Sequence, residues 1–440
     1  MQDIVAELQW RGLVHQMTDP ALGAKLLKEP TTVYCGFDPT ADSLHIGNLL
    51  GLVNLVRFQR AGHKAIAIAG GGTGFIGDPG GKTEERALQT KEQLEKNCAS
   101  IQAQISRIFN FANAGDVKLI NNADWLCSLS MIEFLRDVGK HFTVNAMMEK
   151  ESVRARLEDR AHGISFTEFS YMLLQAYDYL YLYEKYNCRV QVGGSDQYGN
   201  ITAGSDLIRR VLAKRLGGEE AAAEKQAWGL TWPLITRSDG KKFGKTEAGA
   251  IWLSAERTSP YEFYQYWINT PDSDTGMFLR YFTDFKKEEI EALEAQTKAE
   301  PQKRAAQKSL AKAVTTLVHG PDECRSAENA TAALFSTAKG ASLTELDEKT
   351  LLDLVKEAPS GALPAARLAG EGAPLIELMA ESGLWPSKGE ARRAIQGGGA
   401  SLNNNKVTDV GAKAASKDLL HGKYLVLRKG KKDYYLFRVE

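Results

Sequence analysis

Residues 31–69 read TTVYCGFDPTADSLHIGNLLGLVNLVRFQRAGHKAIAIA, and their pattern predicts the fold of the first half of the chain. Three β-branched residues favour a strand over 31–38. A helix is expected over 44–60, with Ser43 as its cap and apolar residues at helical spacing. A second apolar strand follows over 64–69. Because a strand, a helix and a strand in so short a stretch form a βαβ unit, we expect a parallel sheet.

Two further strand candidates extend this sheet. They span 117–121 and 188–192, and a helical stretch over 129–185 separates them. Each candidate is followed by a polar turn. Ligands bind beyond the carboxyl ends of the strands in such sheets, so the turns predict the binding edge. We therefore predict a Rossmann-like, doubly wound α/β catalytic domain over 1–225.

The rest of the chain predicts three more regions. A loop followed by a helical, lysine- and glutamate-rich domain is expected over 226–330. Residues 331–370 are rich in Ala, Gly, Ser and Pro, which is typical of a linker with small elements. The last segment, 371–440, contains short alternating strands and predicts a small α+β domain.

Composition restricts the possible function classes. Basic and acidic residues both number 55, so no overall field attracts the chain to nucleic acid or to a membrane. We find no apolar run of about 18 residues and no secretion-signal pattern, and we expect no membrane association. The five cysteines are scattered without a Cys-x-x-Cys pair, which implies neither disulfides nor zinc. A soluble, cytoplasmic protein without a bound metal or prosthetic group is expected.

A glycine-rich run over 70–82 contains two nucleotide motifs, and both fit poorly. Residues 72–77 match G-x-G-x-x-G, but the acidic residue expected about 20 positions later would fall in a predicted helix over 90–100. Residues 77–83 resemble a P-loop that is one residue too short. A nicotinamide enzyme and an ordinary flexible glycine turn therefore both remain open for this run.

Two other segments predict a site for a triphosphate. His45, Gly47 and Asn48 lie at the start of the first helix, where free N–H groups and the helix dipole attract anions. Lys242 and Lys245 flank a glycine in a loop that can neutralise a pyrophosphate leaving group. Each segment alone is equally explained by a capped surface helix or a solvated charged loop. Together they predict that ATP activates a small carboxylic acid.

These segments resemble the signatures of the class I aminoacyl-tRNA synthetases. The sequence HIGN at 45–48 is similar to their HIGH motif, and KFGKT at 242–246 is similar to KMSKS. Asn48 departs from the commonest form of the first motif, although its amide can still donate a hydrogen bond. Longer strings resemble the bacterial tyrosyl-tRNA synthetases in order and spacing along the whole chain: YCGFDPT at 34–40, GDP at 77–79, YMLLQAYD at 171–178 and VGGSDQ at 192–197.

The resemblance implies a pocket for L-tyrosine beside ATP. Tyr171, Gln175 and Asp178 already predict one polar stripe of a helix by their spacing, with an aromatic core helix as the alternative. In the family, the positions of Tyr34 and Asp178 bind the phenolic hydroxyl, and those of Tyr171, Gln175 and Asp78 bind the ammonium group. The other implied contacts are Gln197 at the reacting carboxylate; Cys35 and Asp196 at the ribose; Gly36, Asp38, Gly47 and Gly193 along ATP; Thr40, His45 and Asn48 at the phosphates; and Lys82, Arg86, Lys242 and Lys245 at pyrophosphate.

For Lys82 and Arg86, a solvated helix start is the alternative. The implied reaction joins tyrosine to the α-phosphate of ATP, which enters with Mg²⁺, and then transfers the tyrosyl group to the 3′-terminal ribose of tRNA(Tyr). A synthetase-fold RNA-binding or regulatory protein without charging activity is the alternative function. The family also implies a homodimer, for which the helical stretch 129–165 is the interface candidate.

The C-terminal segment carries the positive charge that the overall balance hides. Residues 391–440 contain eleven Lys or Arg and four acidic residues, a net charge of +7. The strings at 386–395 and 403–407 resemble an S4-type RNA-binding domain over 371–440. A basic appendage without RNA affinity is the alternative, and a salt-sensitive RNA contact is the prediction.

Overall fold

The computed structural model describes residues 2–78, 89–113, 117–150, 153–154, 157, 163–223, 225–236, 238, 243–246, 249–335, 343–356, 358–430 and 433–440. It divides into two compact units. The first comprises 1–258 and 270–318, and the second comprises 259–269 and 319–440. Among the described residues, no helix is both long and apolar enough to cross a bilayer.

Fifteen strands are found in the described residues. In chain order they are β1 Gln16–Met17, β2 Thr32–Phe37, β3 Lys64–Ala69, β4 Lys118–Asn121, β5 Cys188–Gly194, β6 Trp228–Trp232, β7 Lys245–Thr246, β8 Gly249–Ala250, β9 Ser360–Leu363, β10 Ala373–Pro374, β11 Ala400–Leu402, β12 Asn405–Lys406, β13 Lys413–Ala414, β14 Tyr424–Lys429 and β15 Asp433–Val439.

The α-helices are numbered in the same way. They are α1 Ile4–Arg11, α2 Leu22–Leu26, α3 Ile46–Arg60, α4 Lys91–Phe111, α5 Ala123–Leu126, α6 Met131–Asp137, α7 Val144–Met148, α8 Phe166–Tyr186, α9 Tyr198–Leu216, α10 Glu219–Ala223, α11 Pro260–Ile268, α12 Asp272–Phe282, α13 Lys287–Ala299, α14 Ala305–His319, α15 Pro321–Phe335, α16 Glu348–Leu354, α17 Leu375–Glu381 and α18 Lys388–Gln396.

The first unit is built on a six-stranded sheet with the order β1-β6-β5-β2-β3-β4. The neighbours from β6 to β4 are parallel, and β1 is antiparallel at the edge. The strands β3 and β6 are almost wholly buried, as expected when helices cover both faces of a parallel sheet. The predicted doubly wound α/β fold is confirmed. The order reverses between β2 and β5, which makes their carboxyl ends the switch point of the sheet.

The start of α3 differs from the prediction. Its N-cap is His45 rather than Ser43, whose hydroxyl donates to the Leu44 carbonyl at 2.8 Å. The Nδ1 atom of His45 accepts from the Gly47 amide at 3.1 Å. The side chain of Asn48 accepts in return from the His45 amide at 3.1 Å, which completes a capping box. Ser43 fails as the cap because it is buried and its hydroxyl is used in tertiary contacts, donating to Gln104 at 3.3 Å and accepting from the Ser254 amide at 3.1 Å.

The described part of the glycine run after β3, residues 70–78, contains no α-helix. A 3-10 turn spans Thr73–Phe75, and α4 is capped by Thr90. The G-x-G-x-x-G match at 72–77 therefore lacks the strand–turn–helix context that a dinucleotide site requires, which argues against the nicotinamide hypothesis. The P-loop candidate at 77–83 extends outside the described residues.

The second unit contains a five-stranded sheet with the order β12-β11-β14-β15-β9. Its residues in β14 alternate between two buried clusters, with Leu425 and Leu427 in one and Tyr424 and Val426 in the other. The strand β9 lies in the segment predicted as a linker, yet it pairs in parallel with β15. This pairing joins residues far apart in sequence, and the local composition did not predict it.

Candidate active site

The predicted site residues meet at the carboxyl ends of the parallel strands. Asp38 follows β2, Asn122 follows β4, and a 3-10 turn over Ser195–Gln197 follows β5. The helix α8 carries Tyr171, Gln175 and Asp178 to the same edge through their hydrogen bonds to residues of these turns. The polar turns that sequence analysis placed at one edge are therefore brought together by the fold.

Asp38 is held at this edge by two hydroxyl donors. The Tyr171 hydroxyl donates to its Oδ2 at 2.7 Å, and the Thr73 hydroxyl donates to its Oδ1 at 2.8 Å. Burial, with the charge of Asp38 next, raises the pKa of Tyr171 well above its usual value, so this phenol remains a donor. A Cβ on Gly70 would lie 2.0 Å from the Asp38 Oδ1 atom, so a larger residue there would displace the carboxylate.

Asp178 is a buried carboxyl with two donors. Its exposed fraction is 4%. The Asn122 side chain donates to its Oδ2 at 2.8 Å, and the Trp125 indole N–H donates to its Oδ1 at 2.7 Å. Burial raises the pKa of Asp178 to about 8, although both hydrogen bonds oppose this rise. A carboxyl group whose pKa lies so near neutrality is suited to recognising a polar ligand atom in an apolar surrounding.

Tyr34 presents the opposite case, a buried hydroxyl without a partner among the described residues. Its ring is 2% exposed and lies 5.2 Å from the ring of Tyr179. Burial, and then the neighbouring charge of Asp178, raises the pKa of Tyr34 well above its usual value. A buried polar atom left unsatisfied costs about 1–3 kcal/mol, so its presence points to a ligand that completes the hydrogen bond.

A chain of amides continues from Gln175 towards two carboxylates. The Gln175 amide donates to Gln197 at 3.2 Å, and Asn200 donates to Gln175 at 3.0 Å. The Gln197 amide donates to Asp78 at 2.5 Å and to Asp196 at 3.3 Å. Burial is the main cause that raises the pKa of Asp196. Carboxylates and amide oxygens gathered in this way suit a cationic ammonium group.

The residues expected along ATP differ in exposure. Cys35 is buried, and its sulfur would lie 3.3 Å from a Cβ added at Gly51 of α3. Burial raises the pKa of the Cys35 thiol to about 12, so the thiol stays neutral. Gly36 is exposed, and a Cβ added there would have no neighbour within 4 Å. Thr40 is exposed, and its amide donates to the Asp38 carbonyl at 2.9 Å.

The two signature segments lie against each other. The backbone of Gly244 packs on α3, because a Cβ there would lie 2.9 Å from Ile46 Cγ1. The Ile251 amide donates to the Gly244 carbonyl at 2.9 Å, and the Ile46 amide donates to the Ile251 carbonyl at 3.0 Å. Lys245 begins β7, which places the loop beside the exposed His45 and Gly47. Lys82, Arg86 and Lys242 lie outside the described residues.

Sequence reasoning missed several residues of this site. Thr73, Asn122, Trp125 and Asn200 all bond to predicted site residues. Asn122 stands in a polar turn after a predicted strand, and that position was an available signal. Trp125 carried no such signal, because only the fold brings its indole to Asp178. Among the described residues, no group of three or more His, Cys, Asp or Glu side chains is arranged to hold a metal.

Comparisons with known proteins identify the family of the chain. The family model for "tRNA synthetases class I (W and Y)" matches residues 26–336, which defines the class of enzyme. A second model, for the "Tyrosine--tRNA ligase SYY-like C-terminal domain", matches residues 355–437. Curated tyrosine–tRNA ligases are 51% identical in Roseiflexus castenholzii, over all of both chains, and 52% identical in Bacillus caldotenax, over 99% of both chains. The chain belongs to the tyrosine–tRNA ligase family of class I aminoacyl-tRNA synthetases.

Solved structures give the same result for the fold. A C-terminally truncated mitochondrial tyrosyl-tRNA synthetase from Aspergillus nidulans is 30% identical, with a TM-score of 0.66. The match covers 76% of this chain and 95% of that chain. A tyrosyl-tRNA synthetase from Archaeoglobus fulgidus, at 16% identity and a TM-score of 0.52, shares the fold alone.

Proposed function

We propose that this edge of the sheet carries out the first step of a tyrosine–tRNA ligase, the activation of L-tyrosine by ATP. Family membership supports the reaction, and the unpartnered Tyr34 hydroxyl beside Asp178 is the single observation that carries the choice of substrate. A phenolic hydroxyl can donate to the Asp178 carboxyl and accept from Tyr34. A phenylalanine side chain would leave these buried groups unsatisfied, which penalises its binding strongly.

The ammonium group of tyrosine is assigned to the next part of the site. Asp78 supplies a carboxylate, and Gln175 supplies an amide oxygen within one hydrogen-bonded chain that ends at Gln197. Tyr171 lies in the same helix face and orients Asp38. Gln197 is then the group nearest the reacting carboxylate of the substrate. These roles follow from the charge and donor pattern of the side chains.

ATP is assigned to the start of α3 and to the KFGKT loop. The phosphates are assigned to the exposed His45 and Gly47 and to the half-buried Asn48 at this helix start, together with the exposed Thr40. The ribose and the rest of ATP are assigned to Cys35, Gly36, Asp38, Gly193 and Asp196. The lysines of the loop, with Lys82 and Arg86, neutralise pyrophosphate, and Mg²⁺ enters as part of the ATP substrate.

The chemistry then needs no nucleophile from the enzyme. A carboxylate oxygen of tyrosine attacks the α-phosphorus, and the bond from that phosphorus to the pyrophosphate oxygen breaks. Negative charge grows on the leaving pyrophosphate, where cationic side chains and helix amides stabilise it. The tyrosyl group next passes to the 3′-terminal ribose of tRNA(Tyr), and AMP leaves.

RNA binding is assigned to the C-terminal part of the second unit. Residues 391–440 have a net charge of +7, and Arg392 and Arg393 are exposed on α18. Such a patch binds phosphates with a strong dependence on salt. We also assign the enzyme to the cytoplasm, because Cys127 is a free, exposed thiol, as expected in a reducing compartment.

A homodimer is proposed from apolar side chains exposed between α6 and α8. Phe166 is 75% exposed, Ile132 is 72% exposed and Met131 is 71% exposed. Large exposed apolar side chains that recur along 131–166 are typical of an interaction surface. These residues overlap the interface candidate at 129–165, and a second copy of the chain is the partner that family membership favours.

The test is ATP–pyrophosphate exchange with the purified full-length protein. Exchange should depend on tyrosine and should be negligible with phenylalanine at the same concentration. Charging of tRNA(Tyr) transcript should follow in the same preparation. A protein that binds this tRNA but shows no tyrosine-dependent exchange would instead be the synthetase-fold regulatory protein, and the assignment would fail.

A further inference from the structure

Two buried arginines donate hydrogen bonds to the carbonyl oxygens at the C-terminal end of α12. The last carbonyls of a helix lack partners within the helix, and its dipole favours a cation there. Arg57 of α3 donates to three carbonyl oxygens within 280–283, at 2.9–3.1 Å. Arg11 of α1 donates to three carbonyl oxygens within 280–285, at 2.9–3.0 Å. Two guanidinium groups, each with several N–H donors, thus bind the end of the helix.

Arg57 is costly to keep in this position. Its exposed fraction is 6%, and its Nε atom has no hydrogen-bond partner among the described residues. It also donates to the Asn54 side chain, at 2.8 Å, and no carboxylate of the described part of the chain accepts a hydrogen bond from it. Burial, and then the charge of Arg11, lowers the pKa of Arg57 to about 9. A buried cation held by carbonyls stabilises little, but its rigid fork fixes the distance between two helices.

The helix α12, whose carbonyls accept from Arg57, also carries the rings against which the KFGKT loop packs. Phe243, the second residue of that motif, stacks on Phe282 with the ring centroids 5.5 Å apart and the planes at 14°. It also meets the ring of Phe278 at 5.2 Å. Phe278 and Phe282 are both buried, so the surface on which Phe243 packs is rigid. The position of α12 therefore sets the position of Phe243.

The same loop is tied to the other end of α3. Gly244 has φ 76°, and its backbone packs on Ile46, the first residue of that helix. From Ile46 to Arg57 the helix rises about 16 Å. One rigid helix thus presents the HIGN residues at its start and, three turns later, holds the helix on which the second signature rests.

We propose that Phe243 anchors the KFGKT loop on α12 and that Arg57 is a positioning residue for tyrosine activation, acting through this anchor. The proposal rests on the function assigned above, since it takes the loop lysines to neutralise pyrophosphate. A shift of α12 would displace Phe243 and Gly244 from the start of α3, and with them the loop that carries the proposed pyrophosphate lysines, while the tyrosine pocket would stay intact. Rate should then be lost without loss of tyrosine affinity.

The test compares Phe243→Ala, Arg57→Lys and the double variant in single-turnover adenylate formation by the full-length enzyme. Arg57→Lys keeps the positive charge but removes the planar guanidinium group that donates to several carbonyls at once. Arg60→Lys is the matched control, because Arg60 lies on the same helix and bonds instead to Asp284 and the Ala112 carbonyl. Tyrosine affinity is followed in parallel by equilibrium binding.

Phe243→Ala and Arg57→Lys should each slow adenylate formation by about tenfold or more, because small misplacements near the reacting atoms are costly. Tyrosine affinity should stay within about twofold, and Arg60→Lys should behave as the wild type. Arg57→Lys should have no further effect in the Phe243→Ala background, which a merely destabilised fold would not produce. Additive losses in the double variant would overturn the proposal. If Arg57→Lys fails to fold, a wild-type rate for Phe243→Ala would still overturn it.

Lys245→Ala separates this inference from the function on which it rests. A wild-type rate for Lys245→Ala would remove the pyrophosphate role of the loop, and with it the basis of the proposal. If Lys245→Ala slows adenylate formation and Phe243→Ala has the wild-type rate, only the proposed anchoring role of Phe243 is overturned.

Discussion

Two neighbouring tyrosines in the site differ only in what their hydroxyls meet. Tyr179 and Tyr34 are both buried, with their rings 5.2 Å apart. The Tyr179 hydroxyl donates to the Trp228 carbonyl at 2.6 Å, whereas the Tyr34 hydroxyl has no partner among the described residues. The Tyr179 hydroxyl therefore stabilises the fold, whereas the unsatisfied Tyr34 hydroxyl lowers its stability. Such a cost is expected where a residue is retained for a ligand.

This difference predicts opposite effects for one chemical change. Tyr34→Phe removes an unsatisfied hydroxyl, so the free energy of unfolding should stay equal or rise by about 1 kcal/mol. Tyr179→Phe should lower it by about 1 kcal/mol, since the Trp228 carbonyl loses its donor. Urea denaturation measures both. In exchange assays Tyr34→Phe alone should raise the KM for tyrosine, and equal losses of stability in the two variants would contradict the argument.

Asp178 predicts a pH dependence of stability. Its ordinary pKa is 3.8, and burial raises the folded-state pKa to about 8. Between these values the unfolded chain releases the proton while the folded protein keeps it. The contribution of this group to stability is therefore complete below about pH 4 and is lost as pH rises to about 8.

The measurement is urea unfolding of the wild type and of Asp178→Asn at several pH values in that window. The amide cannot ionise, so the wild type should lose stability relative to the variant as pH rises. A difference between the two proteins that stays constant from pH 4 to pH 8 would show that Asp178 is ionised in the folded state.

Local spacing predicted some of this site, and the rest depends on long-range pairing. The stripe of Tyr171, Gln175 and Asp178 follows from the period of a helix, which is a property of the sequence itself. The partners of Asp178 do not. Trp125 lies 53 residues away and Asn122 lies 56 residues away, in a turn whose place is set by the sheet order. No local pattern carries that information.

At the scale of the element, the start of α3 shows the same limit. Sequence analysis placed the helix well but gave it the wrong cap, because Ser43 is a common cap and its burial against Gln104 is a tertiary contact. The actual cap, His45, is also a proposed phosphate contact. Its Nδ1 atom accepts from the Gly47 amide at 3.1 Å, so one side chain has a structural and a catalytic assignment.

A pair of substitutions separates these two roles. His45→Ala removes the cap and the ring, so it should lower the free energy of unfolding by about 1 kcal/mol and slow adenylate formation. His45→Asn restores a strong cap without the imidazole, so it should recover the stability but not the rate. Thermal unfolding and single-turnover adenylate formation provide the two readouts. Recovery of the rate by His45→Asn would mean that the histidine acts only as a cap.

At the scale of the whole molecule, the exposed apolar stretch predicts the assembly. Phe166→Asp places a charge in the proposed dimer interface, where it would be buried without a partner. The variant should sediment as a monomer at concentrations at which the wild type is a dimer. Leu234→Asp is a matched control, because Leu234 is also exposed, at 58%, but lies outside the stretch from α6 to α8. Equal sedimentation of Phe166→Asp and the wild type would place the interface elsewhere.

The extent of the second unit decides where the chain can be cut. A boundary near 370, as composition suggests, would remove β14 and β15 but leave β9 without its partner strand. It would also expose Leu351 and Val355, which are buried in one cluster with residues of those strands. Long-range pairing of β9 is the reason that the composition of 331–370 misleads here.

A cut after 335 leaves a better-defined end. It keeps α15 beside α11, where the Gln265 amide donates to Thr331 at 2.7 Å, and the truncated relative from Aspergillus nidulans matches 76% of this chain. Residues 1–335 should therefore retain tyrosine-dependent pyrophosphate exchange and lose tRNA charging. Residues 1–370 should be less soluble, because an apolar surface and a strand edge are exposed. Full charging by 1–335 would show that the basic segment is not needed for tRNA binding. Loss of exchange in 1–335 would show that adenylate formation needs residues 336–440.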